Sequence, residues 1–577
     1  MISIRKLFAL TIVLVAIAVA WLWWNRPQKV DMAGYVPADV LVYLEANSLP
    51  EIIQGLSETD AWKALAPPAG IRSDLGEVGW LSRLSAWTGI GTAEAVTLSR
   101  AQVAIAVLSL EAADAGETLK IKPRYGVVAE THTSEWRTRA AVETRIGDFA
   151  RRAYKTPSVE RKKIDDVEFV TWKAPVGDRQ IIAAVMGSVA VIGTDENTVR
   201  AILAVKRGER PSLLGSPSLE EMRRRVDAQK SLAFGYVSPQ GAAQLLELGT
   251  AAYAGQISNN PQIQGAIASR IPQLANKLMG GAGWSARFVN GAVEDRYYLA
   301  LQNGVAERLK GPLSPTAESG VKASKLLPQE TYRLTRYNYR DPAEAWRGLN
   351  AAISSQLDAL GAVSVGILLK AALQPYGIEE PDTFLASIGT EIVTVGLDNA
   401  GSSTVTIVEM KDEKALRAFV SKRLGSKPRT ERIGDAEIIV SRDAERGAAS
   451  FVAGYLLMGS EANVRRCLEA RSQGQTLDAS ASFRQSLQRA SSNPAPAGVT
   501  TFTDDDASAL SVITAVASQP AARTRPFNQE ETERALKQLP YTVSQTNLVE
   551  GGFEKKTLSA FGQFGTLVSQ FSPGTGQ

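Results

Sequence analysis

Apolar and polar positions alternate along this chain in short runs, and the runs recur in the same order in its two halves. Tyr125–Glu130 and Thr404–Glu409 are rich in β-branched side chains and predict strands. Each is followed by a stretch of helical spacing, Ser134–Ala153 in the first half and Asp412–Leu424 in the second. Further strands are expected at Val167–Trp172 and Glu437–Ser441, then at Gln180–Val185 and Ser450–Ala453. A short apolar strand, Val189–Ile192 or Tyr455–Met458, completes the pattern. The expected fold class is α+β: two tandem homologous modules with mixed or antiparallel sheets and helices on one face.

The clearest recurrence is Val191-Ile-Gly-Thr-Asp-Glu-Asn-Thr-Val-Arg200 against Leu457-Met-Gly-Ser-Glu-Ala-Asn-Val-Arg-Arg466. Helix physics accounts for it. The strand stops at Gly193 or Gly459, where a residue without Cβ allows a tight turn. Thr194 or Ser460 is then expected to cap the next helix. Asp195-Glu196 or Glu461 sets negative charge at its positive end. A second helix opens at Ser216 with Pro217 in the first helical position. Asn290-Gly291 is a two-residue hairpin signal that closes the module.

Other anchors are collinear with this one. Tyr35-Val-Pro-Ala-Asp39 matches Leu326-Leu-Pro-Gln-Glu330, and Asn47 matches Asn338, at an offset of 291. Ile164-Asp-Asp-Val-Glu168 matches Ile433-Gly-Asp-Ala-Glu437 at 269, and Ser216-Pro-Ser-Leu219 matches Ser480-Ala-Ser-Phe483 at 264. Asn290–Glu294 matches Glu550–Glu554 at 260. The offset only falls, as when the first copy carries longer loops. The modules are therefore expected at residues 35–310 and 326–570, with a connector at 25–34, a linker at 311–325 and a loose tail at 571–577.

Leu7–Trp24 is an uncharged run of 18 residues behind Arg5 and Lys6. As a helix it spans roughly 27 Å, enough for a bilayer core. Trp21, Trp23 and Trp24 then fall where an interfacial aromatic belt belongs. A cleaved signal peptide with Ala18-Val19-Ala20 at the cut is the rival reading; the long apolar run and the tryptophans favour an uncleaved signal anchor. Residues 1–6 would form a short cytoplasmic tail and the body would be extracytoplasmic. The charge bias is small, because Arg26 and Lys29 follow the segment.

Composition adds exclusions. Lys plus Arg (64) nearly balance Asp plus Glu (60), so no polyanion partner is expected, nucleic acid included. Arg223-Arg224-Arg225 reads as a solvated helix turn. A single cysteine, Cys467, leaves no intrachain disulfide; it aligns with Ala201 and reads as a small packed residue. The one histidine, His132, rules out a multi-histidine metal site and reads as an exposed turn residue. No phosphate loop occurs, and Gly89-Ile-Gly91 meets Glu94 where a dinucleotide fingerprint needs glycine. The Ser-x-x-Lys pairs Ser3/Lys6 and Ser319/Lys322 fall in the pre-anchor tail and the linker, poor settings for a nucleophile.

Two repeated polar sets remain as interaction positions. Asp166/Glu168 and Asp435/Glu437 would share one strand face and could present paired carboxylates; a solvated face beside a turn explains them better. Asn197/Arg200 and Asn463/Arg466 could form a binding edge at a helix start, or close a capping network. No catalytic residue, cofactor site or metal site is expected.

The pattern of anchor, then Val36-Pro-Ala-Asp-Val-Leu-Val-Tyr43, then strand–Gly-Thr-Asp–helix, repeated, resembles the bacterial domain of unknown function 3352 family. The resemblance covers nearly everything after residue 34 and implies a membrane-anchored protein outside the cytoplasm, with no activity to carry over. The second copy departs at Leu327-Pro-Gln-Glu-Thr-Tyr332 in polar content. The expectation is a non-catalytic interaction or scaffold protein of the cell envelope, with the lipid bilayer and an unknown envelope component as partners. The alternative is a binder of lipid, peptide or cell-wall ligand in the cleft between repeats. A carboxylate-based hydrolase ranks last.

Overall fold

A computed structural model describes residues 29–71, 101–114, 119–257, 265, 272–302, 304–318, 320–356, 373, 378, 380–491, 496–518 and 525–571. The expected anchor at 7–24, the Gly89–Gly91 segment and tail residues 572–577 lie outside them. Among the described residues no helix is long and apolar enough to cross a membrane.

The first half contributes strands β1 (Val42–Ala46), β2 (Gln102–Asp114), β3 (Leu119–Glu130), β4 (Ser158–Ile164), β5 (Val167–Lys173), β6 (Gln180–Met186), β7 (Val189–Gly193), β8 (Ala233–Val237), β9 (Met279–Val289) and β10 (Ala292–Leu301). The second contributes β11 (Arg333–Asn338), β12 (Ile388–Gly396), β13 (Thr404–Met410), β14 (Arg429–Ile433), β15 (Ala436–Val440), β16 (Ala448–Val452), β17 (Tyr455–Gly459), β18 (Val499–Thr503), β19 (Thr542–Val549) and β20 (Gly552–Ser559). Every pairing is antiparallel. The first half runs β4-β5-β6-β7-β3-β2-β1-β8-β9-β10. The second runs β14-β15-β16-β17-β13-β12-β11-β18-β19-β20. β10 and β20 pair from Val293↔Ser559 to Ala300↔Gly552 and join the halves into one 20-stranded sheet. The fold is α+β on a large antiparallel sheet, and among the described residues no parallel pairing enters it.

Among the helices that cover the sheet are α1 (Leu49–Glu58), α2 (Asp60–Leu65), α3 (Glu135–Tyr154), α4 (Glu196–Lys206), α5 (Pro217–Arg225), α6 (Glu413–Leu424), α7 (Glu461–Gln473), α8 (Ala481–Ser491), α9 (Asp506–Ala517), α10 (Gln529–Leu536) and α11 (Gly562–Phe571). They lie on both faces, not one. Strand residues alternate sides, and the alternation divides each half into two cores. Val167 and Phe169 of β5, Ile182 and Ala184 of β6, and Val189 and Val191 of β7 pack with Val199, Ile202 and Leu203 of α4. Val170, Trp172 and Ala183 face the other way and pack with Ala150 of α3. The second half divides likewise. Ile438, Leu457 and Ile407 meet Val464 and Leu468 of α7, whereas Leu456, Met458 and Val408 meet Leu416 and Val420 of α6. Near-continuous apolar strands such as Val189–Gly193 are therefore buried on both sides.

The recurrent strand–helix segment holds, with two differences. α4 is capped by Asp195, whose carboxylate accepts from Thr198 N at 2.9 Å, and not by Thr194. α7 is capped by Ser460 as expected, accepting from Asn463 N at 3.3 Å. The helices thus match at one residue less than the strands before them, and Cys467 falls opposite Ile202, both buried. The glycines serve close approach, since neither has a positive φ: a Cβ on Gly459 would lie 2.9 Å from the Thr404 carbonyl oxygen. At the hairpin, Asn290 (φ 48°) and Gly291 (φ 74°) take the two left-handed positions of a type I′ turn.

Between the halves lies a packed core. Ile52 and Leu56 of α1, Trp62 and Leu65 of α2, and Val293 of β10 meet Val512 and Ile513 of α9, Leu536 of α10, and Phe561 and Phe564. Each such side chain, fully buried, contributes about 1.5–3 kcal/mol of transfer free energy. The expected linker is held at two points: Pro315 bridges to Tyr339, and Thr316 Oγ1 donates to Asn338 Oδ1 at 2.6 Å. The outermost strands β4 (Ser-Val-Glu-Arg-Lys-Lys-Ile) and β14 (Arg-Thr-Glu-Arg-Ile) are exposed and charged, which blunts edge-to-edge pairing.

Candidate functional site

The polar positions singled out in the sequence all lie at the surface and do not converge. Asp165 and Asp166 form the β4–β5 turn with φ of 47° and 64°, so Asp166 is a turn residue and not a strand partner of Glu168. Asp166 pairs with Lys163 at 2.9 Å, and Glu168 pairs with Arg139 and, at 3.1 Å, with Arg161. Asp435 turns between β14 and β15 and pairs with Arg471, which holds its carboxyl below the usual range; Glu437 is exposed. Asn197 is exposed in the first turn of α4, and Arg200 reaches Asp165 at 3.8 Å and Glu196 at 3.7 Å. Asn463 Nδ2 donates to the Thr404 carbonyl at 3.3 Å, and Arg466 lies 3.8 Å from Glu330. These are capping contacts and surface ion pairs that tie helices and strands to neighbouring turns, screened by solvent where exposed.

The polar groups that do converge are buried, and each half has a set at the same place in its sheet. In the first half, Gln102 Oε1 accepts from Val30 N at 2.8 Å while its Nε2 donates to Val30 O and to Asn47 Oδ1. His132 is not an exposed turn residue: its Nε2 lies 3.0 Å from Gln102 Oε1, and its backbone N–H donates to Glu130. For both contacts with Gln102 Oε1 to be donors, Nε2 carries the proton. Tyr35 Oη donates to Glu130 at 2.9 Å. The cluster fastens Val30, at the head of the described chain, onto β2 and β3.

In the second half Glu391 takes the place of Gln102: it pairs across from Asn338, as Gln102 lies beyond Ala46↔Val103. Glu391 accepts from Lys322 N at 3.0 Å and from Tyr455 Oη at 2.6 Å, and lies 3.5 Å from Arg336 Nε. Burial and the Glu391 carboxylate hold the Tyr455 hydroxyl well above its ordinary value. Burial lowers the Arg336 guanidinium, against the pull of Glu391 and Glu318. Glu409 Oε2 accepts from Thr390 N and Glu391 N on the neighbouring strand.

Arg223 corrects a second expectation. It is no solvated helix turn, for its side chain is 16% exposed and reaches Asp31 at 2.6 Å and Glu45 at 3.5 Å. Burial opposes its charge, but Asp31 and Glu45 together hold its pKa above the ordinary arginine value. Hydropathy could not reveal this, because a buried ion pair and an exposed one look alike in sequence.

Two concavities adjoin these elements. A cavity of about 260 Å³ lies under α8, with Arg336, Glu318, Thr500 and Gln545 among its polar lining and Val321, Leu487 and Phe502 among its apolar lining. A groove of about 450 Å³ runs between α9 and α10, lined chiefly by Leu510, Thr514, Phe527 and Leu536. Among the described residues, no three of His, Cys, Asp and Glu are grouped to hold a metal ion. No protein-family model, no curated protein and no solved structure matches this chain.

Proposed function

We propose that this chain is a single-pass, membrane-anchored protein of the cell envelope, its body extracytoplasmic, built from two homologous α+β modules and acting as a non-catalytic interaction scaffold. The sheet carries this reading. Two half-sheets of the same pairing order are fused by the β10–β20 ladder and by a core drawn from both. Domains joined through a small polar interface move against each other, whereas a shared sheet and apolar core resist hinge motion. A fused body of this kind keeps distant surfaces at fixed separation, which a scaffold requires and a closing cleft does not. The collinear anchors support the same view. So does the pair of isolated bridges Pro37↔Ser212 and Pro328↔Thr476, which recur at offsets of 291 and 264.

A photo-cross-linking residue at Val159 on β4, at Thr430 on β14 or at Trp136 on α3, all exposed, tests the proposal in intact cells making the full chain. A discrete adduct with one envelope component is expected from at least one position. Failure to trap any partner from all three would sink the scaffold reading. A second reading, a binding protein for an apolar ligand, is favoured by the α9–α10 groove beside the junction. Displacement of a fluorescent fatty acid that depends on Leu510 and Phe527 is the result it requires.

A further inference from the structure

At the cavity under α8 the second half departs from the first. On its floor, Arg336 of β11 pairs across to Thr500 of β18, which pairs across to Gln545 of β19. The corresponding positions of the first half hold Glu45, Phe234 and Ser285. The cover corresponds as well. Ser285 Oγ donates to the Val226 carbonyl at the end of α5, and Gln545 Nε2 donates to the Ala490 carbonyl of α8.

In the first half Arg223 and Phe234 stand between cover and floor. Arg223 lies over the Phe234 ring at 5.6 Å and carries its guanidinium to Glu45 and Asp31. In the second half Leu487 stands at the position of Arg223, seven residues after Ser480 as Arg223 is seven after Ser216. Thr500 stands at the position of Phe234. Both replacements remove volume, and the cavity of about 260 Å³ is what remains.

Its two charges are opposite and sit at different depths. Arg336, 5% exposed, donates to the Glu318 carbonyl at 3.2 Å and to Asn338 Oδ1 at 3.1 Å. Its Nε makes no hydrogen bond among the described residues but faces the Glu391 carboxylate at 3.5 Å, so the free N–H groups are those of the terminal nitrogens. A guanidinium carries five N–H groups, so donors remain for a further acceptor. The Glu318 carboxylate, half-exposed, belongs to the rim and is held by Lys322 at 2.8 Å. A simple anion entering here would reach Arg336 but meet Glu318 and Glu391; a simple cation would meet Arg336. A molecule with both charges a few atoms apart satisfies floor and rim together. The volume is below the roughly 300–1,000 Å³ of sites for drug-sized ligands.

We propose that the cavity beneath α8 binds a small zwitterionic amino acid, its carboxylate on Arg336, its ammonium on Glu318, and its side chain against Leu487 and Phe502. Arginine suits the carboxylate because its planar fork matches the two oxygens. The site stands independently of the scaffold reading.

Calorimetric titration of the full chain in detergent with L-valine and D-alanine tests it, with N-acetyl-L-valine and L-valinamide as singly charged controls. One of the two amino acids is expected to bind, with its singly charged relatives at least about tenfold weaker. Thr500→Phe, which installs the first half's residue, is expected to abolish binding while leaving the melting temperature unchanged. Glu318→Gln, at a half-exposed position, is expected to weaken L-valine about tenfold and to leave N-acetyl-L-valine no weaker, since it removes a like charge facing that anion. No heat from either amino acid up to about 10 mM, or equal binding of the acetylated compound, would overturn the proposal. Undiminished binding by a folded Thr500→Phe protein would overturn it too; should that variant fail to fold, Glu318→Gln decides.

Discussion

Phe564→Ala asks whether the two halves stand or fall together. Phe564 is 5% exposed on α11, stacks on Phe288 with ring centroids 5.9 Å apart, and meets Trp284 edge-on at 6.3 Å. Both partners belong to β9 of the first half, whereas α11 follows the last strand of the second. Truncation of a core phenylalanine costs about 3–5 kcal/mol, depending on how far the site can collapse. Aromatic pairs of this geometry add about 0.5–1.5 kcal/mol beyond their area. At the lower limit of that range the expected cost is about 3 kcal/mol. The urea dependence of a chain this long is at least the roughly 3 kcal/mol per molar of smaller proteins, so the midpoint should fall by up to about 1 M. The assay is urea unfolding of the full chain in detergent, followed in parallel by tryptophan fluorescence and far-ultraviolet circular dichroism. If the junction couples the halves, both signals move together. A shift under about 0.3 M, or a first-half transition that stays in place while the second moves, would refute the reasoning.

Three further outcomes follow from local physics. Asp195→Ala and Ser460→Ala should each cost about 1 kcal/mol by removing a cap, and Thr194→Ala should cost less; a larger loss at Thr194 would restore it as the cap. The Cys467 thiol, pushed up to about 12 by burial in an apolar core, should resist alkylation at pH 8 until the chain is unfolded, and prompt labelling of the native protein would contradict that packing. Asp506 is pushed up to about 7 by burial and by the neighbouring Asp504 and Asp505. Because its folded value is raised, the stability it contributes is complete below the unfolded value near about 4 and is lost as pH rises through 7. Asp506→Asn should therefore raise the melting temperature at pH 8 and change it little at pH 4; an equal change at both would remove Asp506 as the source.

Much of the local structure was legible because its causes are local. Asn290-Gly291 makes its turn from φ preferences alone, and Pro217 opens α5 because its missing N–H would have had no helical partner. The near miss at Thr194 has the same origin, since two adjacent residues can both cap and only the helix register chooses Asp195. The polar clusters were not legible. Arg223, Arg336 and Glu391 resemble surface residues in any hydropathy pattern, and their partners Asp31, Glu45 and Tyr455 stand far from them in the chain. Asp166 and Glu168 were misleading for the opposite reason. Their spacing suggested a shared strand face, but a left-handed turn takes Asp166 out of the strand.

The sequence by itself determined the elements that strand periodicity, caps and turn residues mark, such as Val189–Gly193 with the helix after it, because those signals act over a few neighbours. Only the tertiary structure decided that helices cover both faces and that β10 meets β20 to make one sheet. It alone decided that Leu487 and Thr500 leave open the space that Arg223 and Phe234 fill. Those outcomes depend on pairs of residues tens to hundreds of positions apart, where the energy lies in shape and burial, and neither is a property of any short stretch of chain.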